Sequence, residues 1–232
     1  MPLHPCFDGD EAVFVWKGGA AVEYRLHHKG TIPLHTERLL LRRFRPGDEE
    51  AMFQGWLCDP EAAKFMRWAP YSSVEEARLF LEELLSGYER PDFYRWAIVL
   101  RETGKPAGIL SLFTVSEWDL VCEPAYCIGR SWRGKGYAAE ALRAVLGFAF
   151  REAGFNRAEA YHSLQNPASG RVMEKAGMKK EGEAPQKYRC SLGFQDCALY
   201  GITRSAWLAA FPEGEGERTG CLRGGKSGTA EA

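Results

Sequence analysis

Three β-rich runs follow one another along this chain with only turns between them: Tyr94–Leu100, Ala107–Thr114 and Glu123–Gly129. RETGKP (101–106) reads as the hairpin turn joining the first two. Strands joined this way pair antiparallel, because a parallel partner needs a crossover of a dozen or more residues. The next segment supplies one crossover. Ala138, Ala141, Leu142, Val145, Phe148 and Ala149 keep a helical period over about 136–153, Gly154 ends the helix, and RAEAYHS (157–163) returns as a strand. RLLLRRF (38–44) precedes this unit, and two runs near 186–191 and 197–203 follow it. The expected fold is α/β of the α+β type: a mixed, mostly antiparallel central sheet with one parallel βαβ step and helices on both faces.

Further helices have readable ends. Pro46-Gly47-Asp48 opens one through about Leu57, and Pro167 opens a short one that Gly177 stops. Ser73 with Glu76 has the spacing of a capping box, ahead of Ala77, Leu81, Leu84 and Leu85 on one helical face. The division expected is an N-terminal extension over 1–34, with a β-hairpin about a Gly-Gly pair, one domain over 35–211, and a disordered tail over 212–232 rich in Gly and charge.

Bulk properties exclude several classes. A net charge of −1 provides no field to draw the chain onto nucleic acid or an anionic membrane. No apolar run is long enough to span a bilayer, and MPLHPCFDGDE lacks the features of a signal peptide. The seven cysteines are scattered without a CxxC pair, so neither a disulfide framework nor a zinc site is expected; reduced thiols and a cytoplasmic location are. No metal-ligand cluster is evident.

Gly134-Lys135-Gly136-Tyr137-Ala138-Ala139 fits the dinucleotide pattern GxGxxA, with Glu159 twenty residues on. That pattern belongs to consecutive βαβ units, whereas here antiparallel hairpins precede the loop and Glu159 starts its strand. The same residues read as Arg133-x-x-Gly136-x-Ala138, which resembles the Q/R-x-x-G-x-G/A loop of the GNAT superfamily of N-acetyltransferases. ERLLLR, WRGKGYAAEAL, NPASGRVMEKAGM and DCALYGI occur in the matching order over roughly residues 36–210. They resemble the branch of the ribosomal-protein N-terminal (alanine) acetyltransferases.

The resemblance implies acetyl-CoA as cosubstrate, with no metal. Amides of about 134–138, including Gly134, Lys135, Gly136, Tyr137 and Ala138, would wrap the pyrophosphate at the helix start, with charge from Arg133 and Lys135. A turn that lets helix and sheet approach closely is the alternative. The strand before the loop would diverge from the strand after the helix, Tyr126 and Ile128 would offer backbone to the pantetheine arm, and the side-chain amide of Asn166 would hold it. Asn166 can equally cap the Pro167 helix.

Acetyl transfer needs a neutral amine, a polarised thioester carbonyl and a hydrogen-bond donor for the departing thiolate. A backbone N–H near Cys127 or Ile128 would polarise the carbonyl. Ser169 stands at the N-x-x-S position near the sulfur in related enzymes; a helix-surface hydroxyl is the alternative. The tyrosine that other members carry a few residues on is missing, with Val172 and Met173 in that region. Some members have a glutamate five residues before the asparagine, where this chain has Tyr161. Glu123 is the candidate base through water, with Glu159 on the strand face of Tyr161. His162 falls on the opposite face. The acceptor is expected to be a small-molecule amine or a protein N-terminus in a direct, ternary-complex transfer by a monomer or homodimer. Phe65, Met66, Trp68, Tyr71, Tyr188 and Phe194 would line its groove or belong to the core. A non-catalytic acyl-CoA-binding or interaction module is the alternative function.

Overall fold

The computed structural model describes residues 13–17 and 20–212. β1 (Val13–Lys17) and β2 (Ala20–Tyr24) pair antiparallel as a separate two-stranded sheet. The Gly-Gly turn expected between them and the tail read as disordered, from residue 213 on, lie outside the described residues.

Eight strands form the main sheet: β3 (Leu34–His35), β4 (Leu39–Arg42), β5 (Tyr94–Leu100), β6 (Pro106–Ser116), β7 (Val121–Ile128), β8 (Arg157–Ser163), β9 (Lys179–Cys190) and β10 (Gly193–Thr203). Their spatial order is β3-β4-β5-β6-β7-β8-β10-β9, and every pair is antiparallel except β7–β8. The expected mixed sheet with one parallel step is therefore the one observed. β9 and β10 are longer than their apolar runs suggested. β9 begins in KKEGE, which is almost wholly exposed, so backbone pairing to β10 defines this edge strand and no apolar alternation announces it.

Helices cover both faces. On one lie α1 (Glu49–Met52), which widens into a π-helical turn over Phe53–Leu57, then α2 (Pro60–Ala63) and α3 (Val74–Gly87). Met52, Trp56, Leu81 and Leu84 meet Ala97, Val99 and Cys127 of the sheet there. Ser73 Oγ accepts the Glu76 amide at 3.3 Å, while the Glu76 carboxylate reaches back to the amide and hydroxyl of Ser72. On the other face lie α4 (Tyr137–Phe148), α5 (Pro167–Lys175) and α6 (Arg204–Ala210). Leu142, Val145 and Phe148 of α4 are buried against Tyr94, Trp96 and Leu110. Each such side chain contributes about 1.5–3 kcal/mol by leaving water. α2 and α6 were not evident in the sequence. Each is short, and each starts on a side-chain cap, Asp59 to the Glu61 amide and Thr203 to the Ala206 amide.

One feature of the sheet positions the site. β7 and β8 share only the registers Val121↔Arg157 and Cys122↔Ala158. Beyond them β7 stays with β6 as far as Ile128, and β8 stays with β10 as far as Ser163. The two strands separate, and an opening runs down the middle of the sheet.

Candidate active site

At the top of the opening a short 3-10 turn, Arg130–Trp132, leads from β7 to α4. Gly134 and Gly136 have φ of +78° and +84°, the left-handed region that an L side chain enters only at a cost. A Cβ built on Gly134 meets no atom within 4 Å, so the loop surface there is bare backbone. Gly136 caps α4 without any side-chain cap. The amides of residues 134–139 have no hydrogen-bond acceptor among the described residues. Together they form a run of unpaired N–H groups at the positive end of a helix, the kind of backbone that can receive a phosphate.

Arg38, distant in sequence, holds this loop. Its guanidinium donates to the Lys135 carbonyl at 2.9 Å, pairs with Glu140 at 2.6 Å and lies 4.8 Å over the Tyr137 ring. Burial works to raise the Glu140 carboxyl, but bonds from Thr36 and Arg38 outweigh it and hold the group below the usual carboxylate range. Arg133 is exposed and donates from Nε to the Ile128 carbonyl at 3.0 Å; Lys135 is exposed.

The Gly129 amide bonds the Ala107 carbonyl of β6 at 2.9 Å. By strand alternation the Cys127 amide also faces β6, whereas the backbone groups of Tyr126 and Ile128 face the opening. Of the two candidates for polarising a carbonyl, Ile128 is therefore the one whose N–H is on the right side. Pro124 falls on the same side, where its missing N–H costs no ladder bond.

The two sides of the opening differ chemically. On the α4–α6 side the Tyr126 side chain is half-buried, and its hydroxyl donates to the Ser169 carbonyl at 2.9 Å. Its oxygen is also 2.9 Å from Ser169 Oγ. With the phenol's single proton on the carbonyl, the serine hydroxyl is the donor in that second bond. A tyrosine hydroxyl thus stands beside Ser169 although the helix position carries Val172 and Met173. Asn166 is the N-cap of α5 but makes no side-chain cap bond, which leaves its amide group available to the opening. His162 is buried against the Tyr200 ring on this side, with Nδ1 2.8 Å from the Ser163 carbonyl, as packing would have it.

Glu123 and Tyr161 lie on the α1–α3 side. Burial raises the Glu123 carboxyl above its ordinary value, and the charges of Lys187 and Arg67 partly offset this. Glu159 shares this strand face but is held in an ion pair with Arg157 at 2.7 Å. Tyr161 receives a hydrogen bond on its hydroxyl from Arg67 at 3.0 Å and stands 5.5 Å from the Tyr188 ring. Burial pushes the Cys127 thiol up to about 12, so it is not a thiolate near neutral pH. The aromatics divide. Met66, Trp68 and Tyr71 pack on the core beside Phe80, Tyr188 is buried with its hydroxyl on the Phe65 carbonyl at 3.1 Å, and Phe194 is 64% exposed. Arg38, Arg67, Lys187 and the phenol of Tyr126 were not identified in these positions from the sequence. Only the fold brings them to the opening.

Among the described residues no group of three or more His, Cys, Asp or Glu is placed to hold a metal ion, and no helix is long and apolar enough to cross a membrane.

Comparison with known proteins agrees with this architecture. The family profile described as "Acetyltransferase (GNAT) domain" matches residues 38–179. "Uncharacterized N-acetyltransferase p20" of Bacillus licheniformis is 30% identical over 149 residues, covering 64% of this chain and 83% of its own. "[Ribosomal protein uS5]-alanine N-acetyltransferase" of Escherichia coli is 31% identical over 86 residues, covering 37% and 44%. A crystal structure of a GNAT-family acetyltransferase from Bacillus anthracis superposes with a TM-score of 0.67 at 25% identity, covering 75% of this chain and 99% of that one. The unpaired loop before α4, the divided sheet and these kinships agree: the chain belongs to the GNAT acetyltransferase family and is an N-acetyltransferase.

Proposed function

We propose that the protein transfers an acetyl group from acetyl-CoA directly to a primary amine, a small molecule or a protein N-terminus, with both substrates held at the β7–β8 opening. The observation that carries this reading is the row of unpartnered amides at residues 134–139. Residues 133–138 would hold the pyrophosphate. Tyr126 and Ile128 would pair with the pantetheine arm through backbone, and Asn166 through its side-chain amide. Hydrogen bonds to a charged group contribute about 1.5–3 kcal/mol each, so a few of these amides suffice for micromolar binding.

The thioester supplies the activated acetyl group; the chain's residues supply the rest. The Ile128 amide polarises the carbonyl. Glu123, raised by burial and so matched better to taking a proton from an amine, acts through water from the α1–α3 side. Ser169, positioned beside Tyr126, turns its hydroxyl proton from the phenol oxygen to the departing sulfur, from the opposite side. Cys127 does not act as a covalent carrier, being buried and protonated.

Thiol release from acetyl-CoA with a panel of amines and N-terminal peptides tests the reading, alongside calorimetry with CoA. A micromolar heat and amine-dependent release are expected. No heat with CoA and no release with any amine would overturn it.

A further inference from the structure

On the α1–α3 side of the opening two cations converge on one ring. Arg67 donates Nη2 to the Tyr161 hydroxyl at 3.0 Å, and its guanidinium lies 5.6 Å over the Tyr188 ring. Lys187 places Nζ 4.9 Å over the face of Tyr161 itself. Both side chains belong to exposed residues, yet neither has a carboxylate within ion-pair distance among the described residues. The contrast with Arg157, in the strand that carries Tyr161, is direct: it is bound by both Glu159 and Glu181.

The fold maintains this arrangement from two sides. In β9 the residues Pro185, Gln186 and Lys187 bulge out of register between Ala184 and Tyr188. Gln186 takes a positive φ of 47° there, and its amide is held by Asp196 Oδ1 at 2.9 Å. A non-glycine residue in that region costs of order 1 kcal/mol, and the Asp196 bond offsets it. The bulge turns Lys187 toward the opening. Across from it, the segment carrying Arg67 is tied to the same hairpin. The Tyr188 hydroxyl donates to the Phe65 carbonyl at 3.1 Å, and the Ser191 hydroxyl donates to the Lys64 carbonyl at 3.1 Å.

Charge then selects the acceptor. Arg67 and Lys187 stand near Glu123 without an ion pair to it, and Glu159 and Glu181 are both held by Arg157, so among the described residues these two cations have no carboxylate bound to them. The reacting amine must be neutral to attack. A polyamine with one neutral nitrogen is still a cation and finds two unpaired cations where an anion would be held. An amine that also bears a carboxylate is, with its nitrogen neutral, an anion, and a guanidinium fork is the group that binds a carboxylate with fixed geometry.

Resting on the acetyl-transfer reading above, we propose that the acceptor is a primary amine carrying a carboxylate close to it, of the amino-acid class, with the carboxylate held between Arg67 and Lys187 and the amine turned toward Glu123. The carboxylate could belong to a free amino acid or to an acidic residue at a peptide N-terminus, and the test separates these sources.

The assay measures kcat/KM for thiol release with free amino acids and their carboxamides, with peptides that begin with acidic or neutral residues, and with spermidine. Carboxylate acceptors are expected to exceed their amide counterparts by about tenfold or more, the scale of one charge-assisted hydrogen bond. That ratio should fall at least about fivefold in Arg67→Gln and in Lys187→Gln, which are separate exposed positions, so that both failing to fold is not an obstacle. A preference among free amino acids assigns the carboxylate to the amino acid itself, and a preference only among acidic peptides assigns it to the side chain. Equal rates for amides, a preference for spermidine, or variants that slow both members of each pair alike would overturn the inference. Calorimetric titration with the same amino acid and amide pairs separates it from its premise. Binding that prefers carboxylates and depends on Arg67, without thiol release, would sink acetyl transfer and leave the anion site standing; no preference in either readout removes the site.

Discussion

Replacing Tyr126 with Phe removes one oxygen atom from a half-buried network and leaves the ring in place. That oxygen makes two contacts of 2.9 Å, donating to the Ser169 carbonyl and accepting from the Ser169 hydroxyl. The carbonyl lies in the first turn of α5 and keeps its helical acceptor role, so the stability cost is close to that of an ordinary hydrogen bond, about 1–1.5 kcal/mol. For a fold of this size that lowers Tm by about 2–6 °C. The kinetic consequence is distinct. Ser169 keeps its hydroxyl but loses the group that orients it, so kcat for thiol release should fall about tenfold, while KM for acetyl-CoA stays within about twofold. Ser169→Ala should cost more, and the double variant should be no slower than Ser169→Ala alone, because the two residues act as one unit. Stopped-flow or steady-state thiol detection on the three variants, with melts in parallel, decides it. If Tyr126→Phe melts lower but keeps full kcat, or if the double variant is slower by the product of the singles, the tyrosine merely packs and the orienting role is wrong.

Gly136→Val forces a β-branched residue to a φ of +84° in the loop and brings its Cβ to 3.4 Å from the Arg38 guanidinium that holds that loop. CoA affinity by calorimetry should weaken at least about tenfold, since the backbone strain alone is about 1–2 kcal/mol. Glu123→Gln should lower kcat/KM by about a hundredfold and remove the acid limb of its pH profile, which for the wild type lies above the ordinary carboxylate range because burial raises this carboxyl. The sign for stability is opposite. A carboxyl raised by folding stabilises the native state only while protonated and loses that contribution as pH rises through its folded value, so the Gln variant should melt higher than wild type at neutral pH and lose that advantage in acid. Cys127→Ala should keep kcat within about threefold while costing about 1 kcal/mol in a melt; abolished turnover would instead point to covalent transfer. Gly129→Ala would drive a Cβ into the Gly55 carbonyl, and a drop in Tm of about 5 °C or more should follow from forcing the turn after β7 away from the π-helical turn over Phe53–Leu57.

Local chemistry determined much of this molecule. Antiparallel runs joined by turns, one crossover helix with a periodic apolar face and two glycines ahead of it are written in contiguous residues. Strand alternation is equally local, and it puts Glu159 and Tyr161 on one face and His162 on the other, whereas pairing within the sheet decides that Glu123 of the neighbouring strand shares the face of Tyr161. The edge strand β9 was only partly legible, because exposed backbone pairing leaves no hydrophobic pattern. The rest required the fold. Arg38 reaches Lys135 and Glu140 across about a hundred residues of chain, Arg67 meets Tyr161 from another layer, and Tyr126 turns its phenol onto a helix formed forty residues later. Hydrogen bonds and charge pairs such as these form over about 3–4 Å, a distance that sequence separation does not encode. The order of strands and helices was therefore determined by the residues in line, and the polar surroundings of the opening only by closure of the sheet and its helices around it.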